Sequence, residues 1–235
     1  MMAVKQSEKP TQKIIVAIDG PAGAGKSTIA RSLANRFGLL NLETGAMYRA
    51  FALKVLRMGL ALDDADVLAR IAEETTLTLD PVAEGNRVLL DGEDVTGLVR
   101  NQMVTDAASK VSVLSPIRAW MVRQQQQLGA HGGVVMEGRD IGTVVFPQAE
   151  VKIFVDASAE VRGARRHEQL GKNPTQTLEE VVADLKARDT RDRNRADSPL
   201  KAAEDSVILD STQLTLEETL EAAAQIVADY LAKHP

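Results

Sequence analysis

The segment Gly20-Pro21-Ala22-Gly23-Ala24-Gly25-Lys26-Ser27-Thr28 fits the pattern G-x-x-x-x-G-K-[ST] at every specified position. That spacing builds an anion site. The glycines let the backbone turn so that successive N–H groups point inward, and a helix beginning near Lys26 adds its positive end. Lys26 supplies a mobile point charge for the β- and γ-phosphates of a nucleoside triphosphate, and the Ser27 hydroxyl is placed to reach Mg²⁺. ATPases, GTPases and small-molecule kinases all use such a loop. It specifies a phosphate donor and leaves the acceptor open.

Phosphoryl transfer has a second set of phosphate charge to neutralise, and guanidinium forks suit that task. Three segments offer them. In Glu43-Thr44-Gly45-Ala46-Met47-Tyr48-Arg49, Thr44 can cap a helix that carries Arg49. A capped helix with one solvated Arg accounts for this segment as well as a ligand contact does. In Glu137-Gly138-Arg139-Asp140, the charges follow an apolar run. Carboxylates at the carboxyl ends of parallel strands face the ligand crevice, so Glu137 can hold Mg²⁺ through water while Arg139 and Asp140 face the acceptor. In the third segment, Arg188, Arg191, Asp192 and Arg195 fall at i, i+3, i+4 and i+7 and share one helical face. Asp189 and Arg193 are expected to pair in solvent on another face. Arg162, Arg165 and Arg166 add charge from the preceding helix.

The elements around these segments alternate in type. Ile14–Ile18 reads as a buried strand ending at Asp19-Gly20. Ile29, Leu33 and Phe37 repeat at helical spacing before Gly38 stops the helix. A second strand, Leu39–Leu42, leads into a helix from Thr44 to a C-cap at Gly59. From Leu62 to Arg100 a short helix (Asp64–Glu73) precedes Leu77–Leu79 and Val88–Leu90, with turn signals at Asp80-Pro81, Glu84-Gly85-Asn86 and Asp91-Gly92. That predicts a small antiparallel β insertion. Helix resumes over Thr105–Gln127, interrupted near Ser115-Pro116. Strands at Val134–Met136, Val151–Val155 and Val207–Leu209 alternate with helices at Ser158–Leu170, Leu178–Asn194 and Leu216–Ala232. Thr177/Glu180 and Thr215/Glu218 have capping-box spacing. Such alternation predicts an α/β fold with a parallel sheet covered on both faces. The insertion and the stretch near Gly171–Thr175 are expected to be mobile subdomains.

Composition excludes several other classes. The 235 residues carry a net charge of −5, so the surface as a whole does not attract a polyanion. Aromatics make up only 3%, which argues against base-stacking platforms for nucleic acid. There are no cysteines, hence no disulfides and no thiolate metal site, as suits a reducing cytoplasm. The three histidines, His131, His167 and His234, lack metal-site spacing. No apolar run reaches the roughly 18 residues of a membrane span. Residues 1–12 are polar and read as a disordered lead, not a signal peptide.

At this point the chain resembles the bacterial-type cytidylate kinases, a branch of the nucleoside monophosphate kinases. The likeness runs from about Lys13 to Tyr230. It rests on IDGPAGAGKST (Ile18–Thr28), LETGAMYR (Leu42–Arg49), LLDGEDVTGLVR (Leu89–Arg100), EGRDIGTVVFPQA (Glu137–Ala149), VKIFVDAS (Val151–Ser158) and RDTRDRNR (Arg188–Arg195). The first is shared very widely, whereas the fourth followed by the last is far more specific. The resemblance implies transfer of the ATP γ-phosphoryl group to CMP or dCMP with Mg²⁺, by a monomer. It implies a P-loop core with a five-stranded parallel sheet (13–43, 129–161 and 189–235), an acceptor-binding subdomain (44–128, with the β insertion at 62–100) and a short lid (about 162–188). Thr44, Tyr48 and Arg49 would lie at the acceptor site; Ser109, Arg118 and Asp140 would read the cytosine; Arg188, Asp192 and Arg195 would hold the acceptor phosphate and sugar. Arg162 and Arg166 would belong to the lid and meet ATP phosphates. Two positions depart from the family pattern: Thr44 stands where Ser is frequent, and Glu137 where Asp is common.

An acceptor phosphate is already ionised near neutral pH, so no strong general base is needed. Catalysis is expected from positioning and from Lys26, Arg162, Arg166, Arg188 and Mg²⁺ around the moving phosphoryl group. Alternatives are a related kinase acting on AMP, UMP or a metabolite hydroxyl, or a P-loop NTPase switch. No NKxD guanine motif is present, which disfavours the switch, and the Arg118/Asp140 pair favours a base over a metabolite.

Overall fold

The β-branched run expected to be a strand forms β1 (Ile15–Asp19), at the centre of the main sheet. The computed structural model describes residues 13–82, 85–169 and 176–234. The expected N-terminal lead, residue 84 of one turn signal and the 171–175 stretch lie outside the described residues. After β1 come α1 (Lys26–Phe37), β2 (Leu40–Glu43), α2 (Thr44–Arg57) and α3 (Ala65–Glu73). The insertion strands β3 (Leu77–Val82), β4 (Gly85–Leu90) and β5 (Glu93–Asp94) follow, then α4 (Gln102–Val111) and α5 (Ser115–Gly129). The chain completes with β6 (Val134–Gly138), β7 (Val151–Asp156), α6 (Ala159–Gln169), α7 (Leu178–Arg193), β8 (Val207–Asp210) and α8 (Leu216–Lys233).

The five core strands lie in the order β2-β6-β1-β7-β8, every neighbour pair parallel. Side chains alternate between the two faces. Ala17 and Met136 join Met47, Phe51, Trp120 and Met121 on one face. Val16, Ile18 and Val135 join Ile29, Leu33, Ala223 and Val227 on the other. Both faces are thus covered, which is why β6 is buried along its whole length and its first three residues, Val134–Met136, are all apolar. Phe51 and Trp120 meet with ring centroids 5.4 Å apart, locking α2 against α5.

Local signals set the element ends. Gly38 adopts φ 65° and returns its N–H to Ala34. At Gly59, φ is 67°; its N–H bonds Leu56 O and the Leu60 N–H bonds Val55 O, a Schellman closure of α2. Both expected capping boxes form, at Thr177/Glu180 and Thr215/Glu218. The expected helix over Thr105–Gln127 is two helices, because Pro116 starts α5 near its first turn.

The insertion is antiparallel as expected, with β5 as an added short strand. Buried Asn86 fastens it to the exposed edge of the main sheet. Its Nδ2 donates to Asn41 O at 2.7 Å and its Oδ1 accepts from Glu43 N–H at 2.8 Å. One amide side chain thereby satisfies two backbone groups of edge strand β2 just before Thr44.

Candidate active site

The donor side is built at the carboxyl end of β1. Gly20 has φ 148°, and a Cβ there would lie 2.0 Å from Val155 O, so no side chain fits between the loop and β7. Gly23 and Gly25 also have positive φ, which turns the loop into the start of α1. Lys26 is buried and donates to Pro21 O at 2.7 Å. Burial, and next the Arg139 guanidinium, push its ammonium down to about 7. Ser27 Oγ donates to Glu137 Oε1 at 2.5 Å. Burial in turn raises the Glu137 carboxyl. The loop lysine and the acid at the end of β6 therefore share one site, across 110 residues of sequence in the case of Ser27 and Glu137.

The acceptor side gathers arginines from four separate stretches. Arg118 on α5 is buried, donates to Asp140 Oδ2 at 2.5 Å and to Ser112 O at 3.1 Å, and lies 5.8 Å from the Tyr48 ring centroid. Burial pushes the Tyr48 phenol up to about 12, so it stays a hydrogen-bond donor at neutral pH. Arg139 Nε donates to Asp192 Oδ2 at 2.9 Å, and Arg195 pairs with Asp192 at 3.6 Å. Arg49 pairs with Glu43 at 2.5 Å. Burial, and next Arg139, lower Arg188 to about 10. Buried polar atoms normally find partners. Among the described residues, five of the eight that do not are Arg49 Nε, Ser109 Oγ, Arg118 Nε, Arg188 Nε and Arg195 Nε.

Several sequence expectations need correction. Thr44 does not cap α2, because Glu43 holds the cap position. Its hydroxyl instead donates to Glu137 O at 2.7 Å and ties β6 to α2. Arg191 is exposed, and α7 ends at Arg193, so Arg195 reaches Asp192 from beyond the helix. Asp189 does not pair with Arg193 in solvent; it is buried and pairs with Arg162 at 2.7 Å. Arg165 is engaged by Ser211, through Oγ at 3.0 Å and O at 2.8 Å. Arg162 also donates to Ala157 O at 2.8 Å and to Ala22 O at 2.9 Å. All three of its nitrogens are thus bound to protein, one of them at Ala22 of the phosphate loop. Arg166 meets Gln102 Oε1 at 3.3 Å, bringing α6 to the start of α4.

Removing Arg162 would leave Asp189 buried beside no cation. We expect Arg162→Met to lower unfolding stability by about 3–5 kcal/mol, the usual effect of breaking a buried pair from one side. Urea unfolding monitored by Trp120 fluorescence measures it, and a change within about 1 kcal/mol, as for exposed pairs, would show the pair to be dispensable.

Sequence reasoning passed over Asp19, whose carboxylate accepts from the N–H groups of Ile141 (2.8 Å) and Gly142 (2.7 Å). Burial, against these two hydrogen bonds, pushes it up to about 6. The rule that singled out Glu137, a carboxylate at the end of a buried parallel strand, applies equally to Asp19.

For a metal, the available oxygen donors are the Ser27 hydroxyl and Glu137. Among the described residues no three His, Asp or Glu side chains gather as a metal cage. A sparse oxygen set suits Mg²⁺, which fills its remaining positions with water and substrate phosphates. No described helix is long and apolar enough to cross a membrane.

Comparison with known proteins places this geometry in a family. Residues 16–229 match the family model described as cytidylate kinase. A cytidylate kinase of Geobacter sp. (strain M21) is 48% identical over 221 residues, covering 94% of this chain and 95% of that one. A cytidylate kinase of Pasteurella multocida (strain Pm70) is 44% identical over 222 residues, covering 94% and 98%. Among solved structures, shikimate kinase from Bacteroides thetaiotaomicron superposes with a TM-score of 0.50 at 12% identity, covering 93% of this chain and 98% of that one, which bears on the fold alone. With the match running through both the phosphate loop and the Arg188–Arg195 segment, this chain belongs to the cytidylate kinase family.

Proposed function

We propose that the protein transfers the γ-phosphoryl group of ATP to CMP or dCMP, giving ADP and CDP or dCDP. The observation that carries this reading is the set of unpartnered buried atoms on Arg49, Ser109, Arg118, Arg188 and Arg195. Leaving a buried polar group unpaired costs about 1–3 kcal/mol, so a ligand that pairs several at once is held firmly. Four of the five atoms are guanidinium nitrogens, which calls for an anion; Ser109, Arg118 and Asp140 add the polar edge that a base requires. A second reading, an AMP or UMP kinase, uses the same phosphate chemistry and differs only at that edge.

In this mechanism an acceptor phosphate oxygen attacks the γ-phosphorus, the bond to the β–γ bridging oxygen breaks, and ADP leaves. Ser27 and Glu137 would hold Mg²⁺, which would supply charge neutralisation at the donor phosphates. Gly20–Thr28 wrap those phosphates with backbone N–H groups, and Lys26 follows the charge as it moves. Arg188 and Arg166 face the transferring group from the acceptor and lid sides, and Arg162 holds the loop rigid. Arg139, Asp192 and Arg195 orient the acceptor phosphate and sugar, with Thr44, Tyr48 and Arg49 beside them. We read residues 44–128 as the acceptor-binding subdomain and about 162–188 as the lid, on a core of 13–43, 129–161 and 189–235. We place the protein in cytoplasmic pyrimidine nucleotide metabolism, as a monomer that binds ATP and (d)CMP, not nucleic acid.

A coupled assay of ADP production with CMP, dCMP, UMP and AMP tests this. CMP and dCMP are expected to drive turnover, with little ATP hydrolysis in their absence. Turnover with AMP and none with CMP or dCMP would overturn the cytosine assignment, and equal ATP hydrolysis without any acceptor would favour an NTPase switch.

A further inference from the structure

We propose that Asp19 is a positioning residue for phosphoryl transfer, clamping the donor loop and the acceptor segment Glu137–Asp140 at a fixed separation. The inference rests on the kinase reading above and adds a residue to it.

Asp19 is the last residue of β1, and Gly20 opens the phosphate loop immediately after it. Asp19 is only 5% exposed. The two N–H groups that it binds, Ile141 and Gly142 at 2.8 and 2.7 Å, open a single π-helical turn spanning Ile141–Val145. The four residues before that turn carry Glu137, which meets Ser27, Arg139, which meets Asp192, and Asp140, which meets Arg118. One carboxylate therefore joins the root of the donor loop to the end of a segment that touches both nucleotide sites.

Two further contacts leave that segment little slack. At its start, the Thr44 hydroxyl holds Glu137 O at 2.7 Å. At its end, Gly142 is pressed against two neighbours: a Cβ there would lie 3.2 Å from Lys152 Cδ and 3.4 Å from Asp19 Oδ2. Lys152 cannot easily yield, because its Nζ is tied to Pro147 O at 2.6 Å and to Asp205 at 2.7 Å. The segment is thus fixed by Thr44 from α2 and by Asp19 from β1. A simple turn cap needs no buried charge, since a neutral side chain can accept one N–H without the desolvation cost of a carboxylate. Two parallel acceptors, in contrast, set both the distance and the angle of the turn.

Loosening the clamp changes where the two half-sites stand relative to each other, while each retains its own contacts. Misplacement by about 1 Å can cost on the order of 10²-fold in rate. The expected signature is therefore a loss of kcat without a matching loss of affinity for either nucleotide alone.

The test uses the full chain, Asp19→Asn and Gly142→Ala, with kcat for CMP, separate calorimetric Kd values for ATP and CMP, and urea midpoints. Asn keeps one acceptor and turns an amide N–H toward the other backbone N–H; Ala pushes the same turn away from Lys152. Both variants are expected to lose about 10- to 100-fold in kcat while each Kd stays within about threefold of the parent. A kcat within about twofold of the parent overturns the proposal, as does a kcat loss matched by equal losses in both affinities, which marks a purely structural cap. Should Asp19→Asn fail to fold, Gly142→Ala decides by the same criteria. A parent chain inactive on both CMP and dCMP overturns the kinase reading and this proposal together; an active parent with unchanged variants overturns this proposal alone.

Discussion

Lys26→Ala is expected to lower kcat/KM for CMP phosphorylation by about 10³-fold or more, the upper range for removing one preorganised charge from a transition state. The side chain is buried at the root of α1, with Nζ on Pro21 O at 2.7 Å. In the proposed mechanism its ammonium follows the charge of the donor phosphates, which a water molecule in its place cannot match. Folding should suffer little, because in the free protein this charge is a burden: burial and Arg139 hold the Lys26 pKa well below 10.5, at about 7. The unfolded chain thus binds the extra proton between those values, and linkage makes parent stability rise with pH through that window. The variant should lack this contribution. Saturating ATP at about 100 times Kd should stabilise the parent by about 2.7 kcal/mol. Much of that gain should vanish in the variant. Unfolding curves with and without ATP, alongside the coupled assay, separate these effects. Near-parental turnover would exclude Lys26, and with it the Gly20–Thr28 loop, from the chemistry.

What could be read from the sequence was what local chemistry determines. The phosphate loop, the alternating strands and helices, and both capping boxes depend on residues a few positions apart. The face carrying Arg188 and Asp192 followed from helical periodicity for the same reason. Periodicity alone puts Arg191 on that face because a 3.6-residue repeat does not say where burial stops, and puts Arg195 there because the helix end at Arg193 carries no sharp stop signal. Contacts that tie distant segments left no trace. Arg162 and Asp189 look like ordinary charged helix positions until α6 and α7 pack together and bury both. Asn86 reads as a turn residue, yet it closes the edge of β2. The Ile141–Val145 turn has no periodicity of its own and is stabilised by Asp19, which lies 122 residues from Ile141.

The same separation between local and long-range order explains the electrostatics. A chain with net charge −5 gathers Arg49, Arg118, Arg139, Arg188 and Arg195 around the proposed acceptor site. Four of them are partly balanced by Glu43, Asp140 or Asp192, and the balance is uneven. Arg118 and Arg139 have short carboxylate contacts, whereas Arg195 sits 3.6 Å from Asp192 and Arg188 has no salt-bridge partner among the described residues. The uncompensated end of the cluster is where an incoming dianion gains most.

Arg188→Ala should therefore lower kcat/KM for CMP by about 10²- to 10³-fold, the range for losing one donor to developing charge. Arg188 sits half-buried on α7, and its Nε has no hydrogen-bond partner among the described residues. Its depressed value, about 10, has burial and then Arg139 as its causes, so in the free protein its charge is held at a cost that a bound phosphate would offset. Stability without ligand should accordingly stay level or rise slightly in the variant, the opposite of an ordinary core truncation. If Arg188 holds the acceptor phosphate in the ground state, KM for CMP rises while kcat falls less. If it acts mainly on the transferring phosphoryl group, kcat and kcat/KM fall together. The ATP Kd should move little in either case, because the proposed site for the donor phosphates is Gly20–Thr28 with Lys26. An unchanged kcat/KM would remove Arg188 from the site, and a large loss of stability would show it to be structural. Arg188→Lys sharpens the distinction: it restores a point charge without the fork, so recovery of KM without recovery of kcat would assign the fork to the transition state.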